Sequence, residues 1–171
     1  MKRLIVVSVV VLVAAFTYRS FGSAETATGS LTLEQPAPAP GDRAPEFTTR
    51  TAEGERFTLT DEGVYVLSFW STLNESSNKA KPGFAELAHE YSNDEASFAA
   101  VYINGVPEEG GAPYAMLREG NGKLTSRYNV KRVPRLFLIK DGEVKLVLNG
   151  YYEGSEQDLK DALQKVLPDA S

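Results

Sequence analysis

The chain has 171 residues, of which 42% are hydrophobic and 24% are charged, and its formal net charge is −5 at pH 7. These proportions are typical of a soluble globular domain and argue against both a disordered chain and a protein with several membrane spans. The acidic balance argues against nucleic acid as a partner. The chain contains no cysteine, which excludes any chemistry that needs its own thiol.

The first 24 residues have the pattern of an export signal. Met1-Lys2-Arg3 carries positive charge and is followed by the largely apolar run from Leu4 to Phe16. The small residues Gly22-Ser23-Ala24 offer a cleavage site. Residues 1–24 are therefore predicted to be either a cleaved signal peptide or a retained signal-anchor. In both cases the rest of the chain is expected outside the cytoplasm, in the periplasm or on the outer face of the cytoplasmic membrane.

Residues 25–41 form a predicted linker. Its second half, Gln35-Pro36-Ala37-Pro38-Ala39-Pro40, alternates proline with alanine, a composition that favours extended polyproline geometry. This segment is expected to be a semi-rigid spacer between the N-terminal segment and a single domain over residues 42–168.

Strands and helices alternate in the first half of that domain. Phe47 to Thr51 and Arg56 to Leu59 predict a small hairpin, and the nearly continuous apolar run Val64 to Trp70 predicts a central strand. Apolar residues at helical spacing then predict a helix from Glu75 to Tyr91, with a kink at Pro82. The hairpin is thus expected to precede the main sheet.

The second half continues the alternation. The predicted elements are a strand over Phe98 to Ile103, a short helix over Tyr114 to Glu119, a hairpin of Pro134 to Ile139 with Glu143 to Leu148, and a final helix capped by Ser155 with Asp158. This order predicts an α/β fold in which a central mixed β-sheet is flanked by helices, with the N-terminal β-hairpin as an extension.

Five short segments, in order along the chain, resemble the extracytoplasmic thioredoxin-like proteins of the TlpA/ResA group and the related redoxins. They are Gly41-Asp42-Arg43-Ala44-Pro45-Glu46-Phe47, Val66-Leu67-Ser68-Phe69-Trp70-Ser71-Thr72, Pro82, Tyr128-Asn129-Val130 and Val133-Pro134. The resemblance covers about Gly41 to Leu167 and implies a thioredoxin-like fold. It also implies an ancestral thiol-disulfide oxidoreductase activity, of the kind that serves cytochrome c maturation or envelope redox homeostasis.

The positions of the family's Cys-x-x-Cys motif are degenerate in this chain. Asn74 and Ser77 stand where the two cysteines belong, and Leu73 stands where an aromatic residue is usual. Neither a carboxamide nor an unactivated hydroxyl can form a disulfide. The local pattern instead predicts Asn74 as a helix N-cap. The single histidine, His89, is too far along the same helix to activate Ser77. No catalytic residue, cofactor or metal site is therefore predicted.

The resemblance further implies a peptide-binding edge at Val133 and Pro134. In thioredoxin-like folds the proline at this place is cis, lies against the active-site helix and follows a residue whose backbone pairs with an extended substrate peptide. Such backbone pairing does not depend on cysteine. The alternative is that Pro134 serves only packing. Arg135 departs from the small residue usual after the proline. It lies in a basic group with Lys123, Arg127, Lys131 and Arg132. This group is interpreted either as a solvated face or as a site for an acidic partner.

Two functions remain open at this point. The first is a redox-inactive, non-catalytic module for protein binding or scaffolding in the cell envelope. Its partner would be an envelope protein or an extended peptide, and only the N-terminal segment would contact a membrane. The second is a thiol-disulfide oxidoreductase of the TlpA/ResA type, acting directly or through the cysteines of a partner in cytochrome c maturation or envelope redox homeostasis. The absence of cysteine favours the first. The candidate binding residues are Leu73, Val133, Pro134 and Arg135.

Overall fold

The computed structural model describes residues 36–91, 96–107 and 111–167. The predicted export signal and most of the predicted linker therefore lie outside the described residues. The described elements are, in chain order, β1 (Phe47–Arg50), β2 (Arg56–Leu59), β3 (Val64–Trp70), α1 (Glu75–Glu90), β4 (Ser97–Tyr102), β5 (Ala115–Arg118), α2 (Lys123–Arg127), β6 (Arg135–Lys140), β7 (Glu143–Asn149) and α3 (Ser155–Val166). None of the helices in these ranges combines the length and the apolar character that a membrane crossing requires.

Five strands form the central sheet in the order β5-β4-β3-β6-β7. Strand β3 pairs parallel with β4 and antiparallel with β6, so the sheet is mixed. All residues of β3 except Tyr65 are buried, because the strand lies in the middle of the sheet with apolar layers on both faces. Strands β1 and β2 form a separate two-stranded sheet. The predicted mixed sheet with an N-terminal hairpin is confirmed.

Each face of the sheet carries its own aromatic core. On the face covered by α1 and α3, the buried Trp70 ring lies 4.8 Å from the Phe84 ring and 5.8 Å from the Tyr102 ring, measured between centroids. On the opposite face, the Tyr128 ring lies 5.5 Å from Phe69 and 5.1 Å from Phe137. Adjacent side chains of β3 thus anchor different layers, as the alternation of a strand requires.

The N-terminal part of the domain also covers parts of both outer strands. The Gly41 N–H donates to the Val144 carbonyl over 2.9 Å, and the Val144 N–H donates to the Asp42 carbonyl over 2.9 Å, so this stretch pairs with the start of β7. At the other edge, Thr51 bridges to Leu117 of β5. The N–H of the next residue, Ala52, donates to Met116 over 2.7 Å. The β1–β2 hairpin is therefore tied directly to β5.

The predicted helix over residues 114–119 is wrong, because residues Ala115–Arg118 form strand β5. This segment consists of good helix formers, but it pairs parallel with β4 over four residues, from Ala99 opposite Ala115 to Tyr102 opposite Arg118. Tertiary pairing overrides such local propensity. The helix of this region lies later, at α2, and was not predicted.

The predicted capping box at the start of α3 is also wrong. The N-cap is Gly154, at a left-handed φ of 97°, and Ser155 is the first helical residue. The Ser155 hydroxyl accepts from the Tyr152 N–H over 2.9 Å, so it closes the preceding turn instead of the helix.

Asp141, in the turn between β6 and β7, gives a prediction about acid stability. Its Oδ1 accepts from the Gly63 N–H over 3.0 Å, and this bond, supported by Lys140, lowers the pKa of Asp141 below its ordinary value of 3.8. The resulting stabilisation is complete above the pKa of the unfolded chain and is lost as the pH falls through the lower pKa of the folded state. The variant Asp141→Asn keeps an oxygen acceptor and tolerates the left-handed φ of 49°.

We expect Asp141→Asn to have a lower urea midpoint than the wild type at neutral pH, and the difference to shrink as the pH falls below about 4. Urea titrations across this range measure it. Glu53→Gln, which removes a carboxylate from the exposed hairpin turn, is the matched control. A difference from the wild type that stays constant down to acid pH contradicts the role given to the Asp141 charge.

Candidate functional site

The candidate site lies where β3 and β4 end. Because these strands are parallel, the residues that follow Trp70 and Tyr102 lie next to each other, at the edge of the sheet formed by the carboxyl ends of the two strands. Two side chains fasten the two loops together. Thr72 donates its N–H to Asn104 Oδ1 over 3.0 Å, and Asn104 Nδ2 donates to Thr72 Oγ1 over 2.7 Å. These two hydrogen bonds therefore hold the loop after β3 and the loop after β4 in a defined arrangement.

Asn74 is the N-cap of α1, as the sequence predicts. Its Oδ1 accepts from the Ser77 N–H over 2.8 Å. Glu75 follows in the first turn, near the positive end of the helix, and pairs with Lys79 over 2.7 Å. Asn74 and Ser77, at the two degenerate positions, therefore form an ordinary helix N-cap.

Ser77 is enclosed by the same network. It is 0% exposed, its hydroxyl donates to Asn74 Oδ1 over 3.2 Å, and it accepts from the Ser71 N–H over 3.4 Å. His89 lies on the exposed side of the last turn of α1, about 18 Å further along the helix at 1.5 Å per residue. Ser77 therefore has a structural role and lacks the adjacent base that a nucleophile needs.

A groove of about 350 Å³ opens beside this cap. Its lining is formed by Asn74, Ile103, Thr125, Val130, Lys131, Arg132 and Val133. The fold thus brings the predicted residues Asn74 and Val133, which are far apart in sequence, to one site. The lining is completed by Ile103, Thr125, Val130 and two members of the predicted basic group, Lys131 and Arg132.

Val133 leaves its backbone open toward this groove. Among the described residues, neither its N–H nor its carbonyl makes a hydrogen bond. The Val133–Pro134 peptide bond is cis. The carbonyl of the buried Pro134 accepts from the Gly150 N–H over 2.8 Å. Pro134 itself lines a different, small apolar cavity of about 40 Å³, which it shares with Ala80 of α1.

Arg135 is held beside the groove without lining it. Its guanidinium carbon lies 5.3 Å from the centroid of the Phe137 ring. Burial lowers the pKa of Arg135, and its Nε is buried without a hydrogen-bond partner. Within the described ranges, no carboxylate forms an ion pair with Arg135 or with Arg132. Among the described residues, these two positive charges therefore have no carboxylate counter-ion.

Two large apolar side chains are exposed at this edge. Leu73, which precedes the cap, is 86% exposed, and Ile103 is 37% exposed. Leu73 was identified from the sequence, whereas Ile103 was missed. The available signal was its position directly after β4, since the ends of neighbouring parallel strands meet at one edge. Among the residues that the structure describes, no cluster of three His, Cys, Asp or Glu could hold a metal ion.

Residues 40–147 match the AhpC/TSA family. This match covers every strand of the sheet apart from the end of β7, and both walls of the groove. The chain belongs to the AhpC/TSA family. The match places the protein among the redoxins without singling out the TlpA/ResA group.

Several solved structures resemble the chain in fold. A Chlorobium tepidum protein, provisionally described as the thiol:disulfide interchange protein DsbE, is 22% identical, with a TM-score of 0.64, over 76% of this chain and 99% of its own. A secreted Mycobacterium tuberculosis disulfide oxidoreductase is 19% identical, with a TM-score of 0.55, over 70% and 95%. The exposed lipoprotein thioredoxin Etrx1 of Streptococcus pneumoniae is 19% identical, with a TM-score of 0.60, over 71% and 99%.

At these identities the likeness establishes the fold alone, and it confirms the thioredoxin-like fold predicted from the sequence. No curated protein matches the AhpC/TSA-family chain.

Proposed function

We propose that this protein is a redox-inactive thioredoxin-like module of the cell envelope, which captures an extended segment of a partner protein in the groove beside Asn74. One contrast carries the proposal. The two thiol positions hold a closed amide–hydroxyl pair, whereas the groove next to them and the backbone of Val133 are open. The site has thus kept the means to bind and not the means to exchange a disulfide.

The chemistry of the alternative supports this choice. Thiol-disulfide exchange proceeds by attack of a thiolate on a disulfide sulfur, and the chain contains no cysteine to supply either sulfur. Ser77 cannot substitute for it, because its hydroxyl is buried and already used in two hydrogen bonds. An oxidoreductase role would have to use the cysteines of a partner throughout.

The proposed binding mode is strand pairing supported by apolar contact. An extended peptide that passes Val133 finds a free N–H and a free carbonyl, the groups that β-augmentation uses for affinity. Ile103 of the groove lining and Leu73, which adjoins the lining residue Asn74, offer exposed apolar surface. A bound segment would therefore gain backbone hydrogen bonds and side-chain burial together.

The envelope location rests on the export pattern of residues 1–24 and on the resemblance to the extracytoplasmic TlpA/ResA group. It is supported by structural neighbours that are described as secreted or as an exposed lipoprotein.

Selection of random peptides displayed on phage, with the full chain as bait, tests the proposal. We expect the wild type to enrich a family of peptides and Leu73→Asn to bind them about tenfold or more weakly, because a buried leucine contributes roughly 1.5–3 kcal/mol. Tyr152→Asn is the control and should bind normally, because Tyr152 is also an exposed large residue but neither lines the groove nor adjoins a lining residue in sequence, whereas Leu73 adjoins Asn74. In parallel, insulin reduction should proceed at the rate of buffer alone. Failure to enrich any peptide, or insulin turnover above that rate, contradicts the proposal.

A further inference from the structure

We infer that the groove selects segments in which an apolar side chain is flanked by aspartate or glutamate. This inference rests on the proposed function and specifies its ligand class. It is derived from two properties of the same surface, its apolar rim and its arginines, which no described carboxylate pairs with.

The apolar part of the selection follows from the groove lining. Ile103, Val130 and Val133 supply aliphatic surface, and the exposed Leu73 lies next to the lining residue Asn74. The volume of about 350 Å³ is at the lower end of the roughly 300–1,000 Å³ that ligand pockets occupy. Such a space takes one apolar side chain of a peptide and leaves the neighbouring residues at the rim.

The acidic part of the selection follows from Arg132 and Arg135. The chain carries a net charge of −5, yet no described carboxylate pairs with either arginine. Arg132 lines the groove directly, and Arg135 follows Val133 by two residues, with its guanidinium over the Phe137 ring. A peptide carboxylate beside the groove would therefore meet a cation that no described carboxylate pairs with.

A peptide fits this surface better than a nucleic acid does. Leu73 and Ile103 offer aliphatic contact, whereas single-stranded nucleic acid is held by aromatic stacking and by many phosphate contacts. The acidic chain as a whole also repels a long polyanion, while a short segment with one or two carboxylates feels mainly the local potential.

The test uses the full 171-residue chain and one peptide core taken from the display selection. Three versions of that peptide carry aspartate, asparagine or lysine on both sides of the apolar residue, and fluorescence anisotropy gives their dissociation constants at low and at high salt. We expect the aspartate version to bind about tenfold more tightly than the asparagine version at low salt, and the lysine version to bind most weakly. The preference should shrink toward zero near 1 M salt, where the Debye length is about 3 Å.

Charge variants assign the effect to the groove. Arg132→Glu should reverse the order, so that the lysine version binds more tightly than the aspartate version. Arg56→Glu makes the same charge change on the exposed start of β2 and should leave the order as in the wild type. Urea midpoints of both variants check that the fold is retained.

The outcomes separate this inference from the proposed function. If the selected peptides bind regardless of their flanking residues, or if Arg132→Glu keeps the wild-type order, the acidic selectivity is wrong while peptide capture stands. If a single-stranded oligonucleotide of the same length binds more tightly than the aspartate peptide, the ligand class is wrong. If the selection yields no peptide at all, the proposed function itself has failed.

Discussion

The double substitution Asn74→Cys with Ser77→Cys is expected to form a disulfide across the first turn of α1 and to create insulin-reducing activity. The side chains at the two positions already meet, since Asn74 Oδ1 lies 3.2 Å from Ser77 Oγ. The N-terminus of a helix lowers the pKa of a thiol placed there and so favours the reactive thiolate. The half-buried position 74 would carry the attacking sulfur, and the buried position 77 the resolving one.

Mass spectrometry with and without reductant measures this disulfide, and the insulin assay measures the activity. The loss of the asparagine cap costs about 0.5–2 kcal/mol, so the urea midpoint of the reduced variant should lie below that of the wild type. Asn74→Cys alone is the control, because it loses the cap without gaining a partner sulfur. Two thiols that stay free in oxidising buffer would show that the amide–hydroxyl pair has changed the geometry of this turn as well as its chemistry.

The largest loss of stability is expected for Tyr128→Ala. The ring is 0% exposed and packs between Phe69 and Phe137, and removal of a buried aromatic ring costs about 3–5 kcal/mol. Native domains have only about 5–15 kcal/mol of stability in total. A large part of the variant should therefore be unfolded or unfold at low urea concentration.

The variant Tyr128→Phe separates the contribution of the ring to stability from that of the hydroxyl. The hydroxyl donates to the Pro45 carbonyl over 2.8 Å, and burial raises the pKa of Tyr128, so the group remains a donor throughout the neutral range. Loss of this bond alone should cost about 1–2 kcal/mol. Urea unfolding of the two variants measures both contributions. If Tyr128→Phe lowers the free energy of unfolding as much as Tyr128→Ala does, the hydrogen bond to Pro45 contributes more than the packing of the ring.

The sequence pattern correctly predicted those strands and helices whose burial in the fold matches their own residue composition. Strand β3 is apolar except for Ser68 because both of its faces are covered. The α1 cap is visible in the sequence because the Asn74 side chain accepts from the N–H of Ser77, only three residues later. Residues 115–118 show the opposite case. These four helix-forming residues adopt a strand because they pair with β4, whose outer side has no other strand in the sheet. That pairing is a property of the folded sheet and leaves no periodic signal in so short a segment.

Lys131 and Arg132 of the groove lining were predicted from charge, as members of the basic group, and the other site residues only where a residue could be aligned with a motif. Asn74, Val133 and Leu73 were identified in this way. Ile103 and Thr125 come from other parts of the chain and reach the groove only through the strand order, and the contact of Arg135 with the Phe137 ring depends on the direction of a side chain. Whether these residues bind a partner remains a prediction that the peptide experiments address.

The pairing of Gly41 and Asp42 with β7, and of Thr51 with β5, has a consequence for aggregation. Outer strands present unpaired N–H and carbonyl groups, which can recruit a strand from another molecule and begin an aggregate. Here the chain's own residues already pair with part of each outer strand, β5 and β7. A shortened version that began at the first strand would lose the buried Ala44 and the Pro45 carbonyl that Tyr128 binds, and it would expose the start of β7 as a template for self-association. The few residues before Phe47 therefore help to keep the protein in solution as separate molecules.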